Sequence, residues 1–157
     1  MLDPAPTTKI SPELTRAKLV EVVEATATTP AFLVLTPDNS DYKLHLQPGG
    51  GSGGKLPEGI AEKIGQRLIG TVRAEAKRID VVKSGGKFID PVFGRPRRVQ
   101  GRIIASNPAG GTVTISSGDN VPIVCKVTGP GQKAGDFELM SFVACQVQRG
   151  ATFEIAG

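Results

Sequence analysis

The stretch AFLVLTPDNSDYKLHLQ, residues 31–47, and the stretch TVTISSGDNVPIVCKVT, residues 112–128, decide how this chain is read. Each holds an apolar run, a turn around Asp38-Asn39 or Asp119-Asn120, and a second run in which alternate residues are apolar. Those alternate residues are Tyr42, Leu44 and Leu46 in the first stretch and Ile123, Cys125 and Val127 in the second. A period of two marks a strand with one buried face, and Asn or Asp between two such runs makes the turn of a hairpin. The likeness has a register: Phe32 and Val34 align with Val113 and Ile115, and Val22-Val23 with Ile103-Ile104, all 81 positions apart. Without a gap it spans residues 17–50 and 98–131, after which a shorter offset aligns Leu68, Gly70 and Val72 with Val143, Cys145 and Val147. An internal duplication is expected.

Working outward, Ser11-Pro12-Glu13 has the form of a helix start, with a capping hydroxyl, Pro in the first turn and a carboxylate near the positive end of the dipole. The aligned stretch Arg98 to Ala105 contains Gly101 and Ile103-Ile104 and reads as strand, so a strand is expected from about Lys18 to Ala25. The first half continues as strands over 31–36 and 41–47, a Gly-rich loop over 49–54, and a short helix over 56–65 with Ile60 and Ile64 on one face. A long strand over 68–83 then turns at Ser84-Gly85-Gly86 into 87–93. The second half repeats the order with strands near 98–105, 111–116 and 121–128, a loop or helical turn near 132–140, and strands near 141–148 and 151–156.

Three strands, a short helical element and two more strands is the order of an OB-fold, so the chain resembles two OB-type barrels in tandem. The resemblance rests on element order and on no family motif. It implies a mostly β protein of two five-stranded barrels, each with a short helix between its third and fourth strands. The corresponding units are an N-terminal extension over 1–16 and barrels over 17–94 and 95–157. One larger sandwich or barrel made from all ten segments is the structural rival.

Composition agrees with a turn-rich β protein: 20 Gly, 12 Pro, seven Phe or Tyr and no Trp in 157 residues. No apolar run reaches the roughly 20 residues of a membrane-spanning helix, and the N-terminus lacks the order of a secretory signal, so a cytoplasmic protein without membrane contact is expected. Cys125 and Cys145 fall on the apolar faces of their strands and are expected as buried free thiols, a cross-strand disulfide requiring an oxidising compartment.

Net charge is +4 and uneven: residues 1–94 hold 12 Lys or Arg against 11 Asp or Glu, and residues 95–157 hold seven against four. The excess sits mostly in Arg95, Arg97, Arg98 and Arg102. That bias permits a polyanionic partner, although a solvated basic connector explains it equally well.

Gly49 to Lys55 satisfies the G-x-x-x-x-G-K part of a phosphate-cradling loop, but Leu56 stands where Ser or Thr must hold magnesium, so a plain connecting loop is the better reading. Two cysteines twenty positions apart and one histidine give no metal-binding spacing, and no nucleophile elbow is present; neither a metal, a cofactor nor catalysis is expected. His45, flanked by Lys43 and Gln47 opposite the apolar face, is expected toward solvent on the third strand, the face that touches ligands in OB-fold proteins. Alternation puts Phe32 and Tyr42 inward and leaves Phe88 and Phe93 as the stacking platform. The expected function is non-enzymatic, backbone-directed binding of single-stranded nucleic acid or another polyanion by Lys43, His45, Arg73, Lys77, Phe88, Phe93, Arg95, Arg97, Arg98 and Arg102. The alternative is an interaction or scaffold protein, a homo-oligomer included, that binds through strand edges and has no affinity for nucleic acid.

Overall fold

Residue alternation sets the strands of the computed structural model, which describes residues 12–50, 54–83 and 85–156. The chain is mostly β. In order it runs β1 (Leu14–Val23), β2 (Phe32–Pro37), β3 (Lys43–Pro48), β4 (Arg67–Val81), β5 (Phe88–Asp90), β6 (Phe93–Gly94), β7 (Arg98–Asn107), β8 (Thr112–Ser117), β9 (Val121–Val127), β10 (Phe142–Val147) and β11 (Thr152–Ile155). A single 3-10 turn, Ile60–Lys63, stands between β3 and β4, and another, Ala134–Asp136, between β9 and β10. The helix expected over 56–65 is thus one tight turn that buries Ile60 and leaves Ile64 exposed, because Gly59 and Gly65 with positive φ bound it. The strand expected from about Lys18 to Ala25 is present but runs over 14–23, starting earlier and ending two residues sooner; Ser11 of the proposed helix start, residues 51–53 of the Gly-rich loop and Ser84 of the turn lie outside the described residues.

All eleven strands join in one sheet, and two additional pairings close it into two circuits. In the first, β1-β2-β3-β11-β4 returns to β1, with β3 and β11 parallel and the other neighbours antiparallel. In the second, β7-β8-β9-β4-β10 returns to β7, with β9 and β4 parallel. The pairing crosses the boundary drawn at 94/95: β11, from the C-terminal stretch, completes the first circuit, and the later part of β4 completes the second.

The two circuits share a register. Leu19 pairs with Leu35, and Ile103 with Ile115; one extra residue, Val20 or Ile104, then bulges before pairing resumes at Glu21–Val34 and Ala105–Thr114. Leu35 pairs with Leu44 as Ile115 pairs with Ile123, and Ala17 with Leu68 as Gly101 pairs with Val143. Corresponding residues are therefore 84 apart in β1 and β7, 80 in β2 and β8, 79 in β3 and β9, and 75 in β4 and β10. The last offset is the one read from Leu68 and Val143. The single offset of 81 is not the register of the ladders.

Inside the circuits lie Leu19, Leu33, Leu35, Leu44, Leu46, Val72 and Phe153 on one side and Val99, Ile103, Val113, Ile115, Ile123 and Val143 on the other, all fully or almost fully buried. Leu33 and Leu35 face inward on β2, so the expectation of Phe32 as an inner residue is shifted by one; four consecutive apolar residues leave the phase of a strand undetermined in sequence. Tyr42 does pack against the core, and its hydroxyl accepts a hydrogen bond from the Ile89 backbone N–H at 3.2 Å. Cys125 and Cys145 are buried free thiols. Among the described residues no helix is long and apolar enough to cross a membrane.

Candidate functional site

On β3 the inward Leu44 and Leu46 force Lys43, His45 and Gln47 onto the outer face, where β2 lays Val34 directly beside His45. The shifted phase of β2 places Phe32 on this face as well. Its ring stacks on the imidazole with centroids 4.7 Å apart and planes 18° from parallel. From the other side, β6 runs parallel to β3 and brings Phe93 edge-on to His45, 5.3 Å away at 70°. Phe93 is 62% exposed, and the Lys43 ammonium lies 5.6 Å from its ring centroid. The result is a three-ring array with a free outer face.

His45 is thus half-buried rather than turned freely to solvent, and its Nε2 is buried without a hydrogen-bond partner among the described residues. Desolvation holds its pKa below the ordinary histidine value. The Glu21 carboxylate, in the same cross-strand row through Val34, opposes that shift.

Beside the rings opens a cavity of about 290 Å³ whose walls include Pro30, Phe32, His45, Gln47, Arg95 and Arg149. Arg95 is half-buried, and its pKa is lowered by desolvation first and then by the charges of Arg149 and Arg97. Arg149 and Arg97 therefore each stand close enough to Arg95 to repel its charge. Arg95 also lines a second cavity of about 320 Å³ with Lys77, Asp90, Arg97, Arg98 and Gln146. Arg149 lines a third, of about 270 Å³, with Arg73, Glu75 and Lys126. A fourth, of about 310 Å³, adds Arg78 and Asp80 next to Lys77 and Arg98. Shared walls make the four cavities one strip across the junction of the two circuits.

A β-bulge helps to build the strip. Val147 pairs with Ala76 and Gln146 with Arg78, so Lys77 is the extra residue of β4, and Lys77 and Arg78 are both exposed instead of alternating. Arg78 is held by Asp80 at 2.9 Å and Arg73 by Glu154 at 3.7 Å, exposed pairs worth at most about 1 kcal/mol each. Among the described residues no ion pair engages Lys77, Arg95, Arg97, Arg98 or Arg149.

Of the residues selected from sequence, Lys43, His45, Phe93 and Arg95 meet at the ring array, and Lys77, Arg97 and Arg98 continue from Arg95 along the strip. Arg73 lies in its third cavity. Phe88 is half-buried beneath the Arg98 guanidinium, 5.8 Å from its centroid, and offers no open platform. Arg102 is committed elsewhere: it covers Phe142 at 5.4 Å and donates to the Met140 carbonyl oxygen at 3.0 Å. Sequence reasoning missed Phe32, through the strand phase, and Arg149, whose only signal is a lone positive charge beside Gly150 in a turn.

Another cavity, of about 350 Å³, lies apart, between the turns after β2 and β8, and is lined by Arg16, Asp38, Asn39, Asn120 and Pro122. It has mixed charge and no aromatic ring, so the strip is the better candidate. No group of three or more metal-ligating side chains occurs among the described residues. No protein-family model, curated protein or solved structure matches the chain.

Proposed function

We propose that the protein is a non-enzymatic binding module in which two OB-type barrels, arisen from a duplicated unit, hold single-stranded nucleic acid or a similar polyanion by its backbone. The circuits support this architecture: each has five strands in OB-type order, a parallel contact between the third and fifth, and a short 3-10 turn before the fourth. In this reading the barrels have exchanged their fifth strands, β11 serving the first and the end of β4 the second. The ring array then lies on the outer face of the second and third strands of the first barrel, where OB-type proteins take their ligands.

The observation that carries the proposal is the row Lys77, Arg98, Arg97, Arg95 and Arg149, unneutralised among the described residues and running up to the exposed ring of Phe93. Cations along a groove track phosphates, and an exposed aromatic face accepts a base of any identity. The two buried free thiols agree with a reducing, cytoplasmic setting. A labelled single-stranded oligonucleotide followed by fluorescence anisotropy tests the reading. Binding should be measurable at low salt and fall log-linearly as salt rises, and no binding at low salt overturns it.

A second reading rests on a different observation. Val81, Leu139 and Met140, 65%, 61% and 60% exposed, lie near the shared end of β4 and β10 and suit contact with a protein or a second copy. A salt-independent oligomer by light scattering, together with no oligonucleotide binding, would favour it.

A further inference from the structure

The cavity bounded by Phe32, His45, Arg95 and Arg149 differs from the rest of the strip in setting two arginines beside a stacked pair of rings. The stacked pair Phe32–His45, Pro30 and the 149–151 turn all line it. Two guanidinium groups lining one cavity match the double negative charge of a phosphomonoester, which also presents more oxygens to paired Arg forks than a diester does.

We propose that this cavity is an end-binding pocket that takes the phosphomonoester terminus of a nucleic-acid strand, with the first base laid on the exposed ring of Phe93. This deepens the backbone-binding reading and rests on it for the strand itself. Arg95 and Arg149 hold the dianion beside the His45 ring, and the remainder of the strand leaves along Arg97, Arg98 and Lys77. The same phosphomonoester chemistry is offered by a free mononucleotide and by inorganic phosphate.

The test compares one oligonucleotide carrying a 5′-phosphate, a 3′-phosphate or hydroxyls at both ends, by anisotropy at low salt. One phosphorylated end should bind on the order of tenfold tighter, the size of one added charge-assisted contact. The gain should vanish in Arg95→Ala and Arg149→Ala, while Lys77→Ala weakens all three forms alike. Equal affinity for the three forms overturns the pocket and leaves the backbone reading standing, as does a gain that survives loss of both arginines. Competition identifies the source. Inorganic phosphate that removes the gain shows that the anion suffices, and thymidine 5′-monophosphate that does so alone shows that the base is read as well. Should no oligonucleotide bind, the backbone reading fails and the pocket is judged separately from the NMR signal of His45, the sole histidine. Its movement on addition of thymidine 5′-monophosphate would sustain the pocket, and its constancy would overturn it.

Discussion

Phe153 lies against Gly70: a Cβ added at Gly70 would come within 2.6 Å of the ring's Cζ and 2.5 Å of the Glu154 carbonyl oxygen. The contact joins the C-terminal strand to the middle of β4 and makes the first circuit depend on the far end of the chain. Gly70→Ala forces backbone apart and is expected to cost about 1–3 kcal/mol, and Phe153→Ala, which empties a fully buried ring site, about 3–5 kcal/mol. Thermal unfolding checks both, at roughly 2–4 °C per kcal/mol for a chain of this size.

Strands β4 and β11 pair across the 94/95 boundary, which bears on fragments cut there. Residues 1–94 lack β11, and residues 95–157 lack the part of β4 that lies between β9 and β10. Each fragment alone is expected to give no cooperative thermal transition by circular dichroism, whereas the whole chain gives a single one. Two separate transitions in the whole chain would show that the circuits do not depend on each other.

Asn39 and Asn120 adopt the same left-handed backbone, φ 62° and 63°, in the turns after β2 and β8. Asn tolerates this region and Gly is at ease in it, but a β-branched residue is not. Asn39→Gly and Asn120→Gly should leave stability within about 0.5 kcal/mol, while Asn→Val at either site costs about 1–2 kcal/mol. Denaturant titration distinguishes the two outcomes.

These turns and the strands around them were legible because their causes are local: alternation in 43–48 and 121–127, and an Asp-Asn pair where the chain reverses. The partners of β4 and β11 were not. An alternating strand presents the same pattern to any neighbour, so nothing in 72–81 announces that these residues lie between β9 and β10. The bulges at Val20 and Ile104 are equivalent and cancel, but the paths from Leu19 to Leu35, Leu35 to Leu44 and Leu44 to Leu68 are longer by 4, 1 and 4 residues than those from Ile103 to Ile115, Ile115 to Ile123 and Ile123 to Val143, which is why one constant offset failed. At the site, the basic residues from 95 to 98 were visible as a cluster in sequence. Phe32 and Arg149 join them only through the fold.

The strip predicts a graded electrostatic response. Lys77→Ala and Arg98→Ala should each weaken oligonucleotide binding uniformly across sequences and reduce the salt slope by about one. Arg102→Ala, which removes a side chain lying over Phe142, should leave that slope unchanged. Anisotropy titrations at four or five salt concentrations supply the slopes.

The thiol of Cys125 is pushed well above its ordinary pKa, first by its hydrogen bond with Cys145 and then by burial. Neither thiol should react with an aromatic disulfide reagent in the folded protein at mildly alkaline pH, and both should react once denaturant opens the chain. Prompt reaction of one thiol in the native state would show that the second circuit opens locally.

His45 gives the pH dependence its sign. Desolvation outweighs the pull of Glu21 and places the folded-state pKa below that of the unfolded chain, about 6.5. Between those two values the unfolded chain binds more protons than the folded one, so stability falls as pH drops through about 6.5 and stops falling from this cause below the folded pKa. Above 6.5 the imidazole is neutral in both states and contributes no slope. His45→Gln should remove this component, so that the stability difference between the two proteins changes only within that window. Because the chain has one histidine, its NMR titration is a single curve whose midpoint should lie under the ordinary value and fall further in Glu21→Gln, where the opposing carboxylate is gone. A midpoint above 6.5, or one that rises in Glu21→Gln, would mean that the ring is not enclosed between Phe32 and Phe93 in solution.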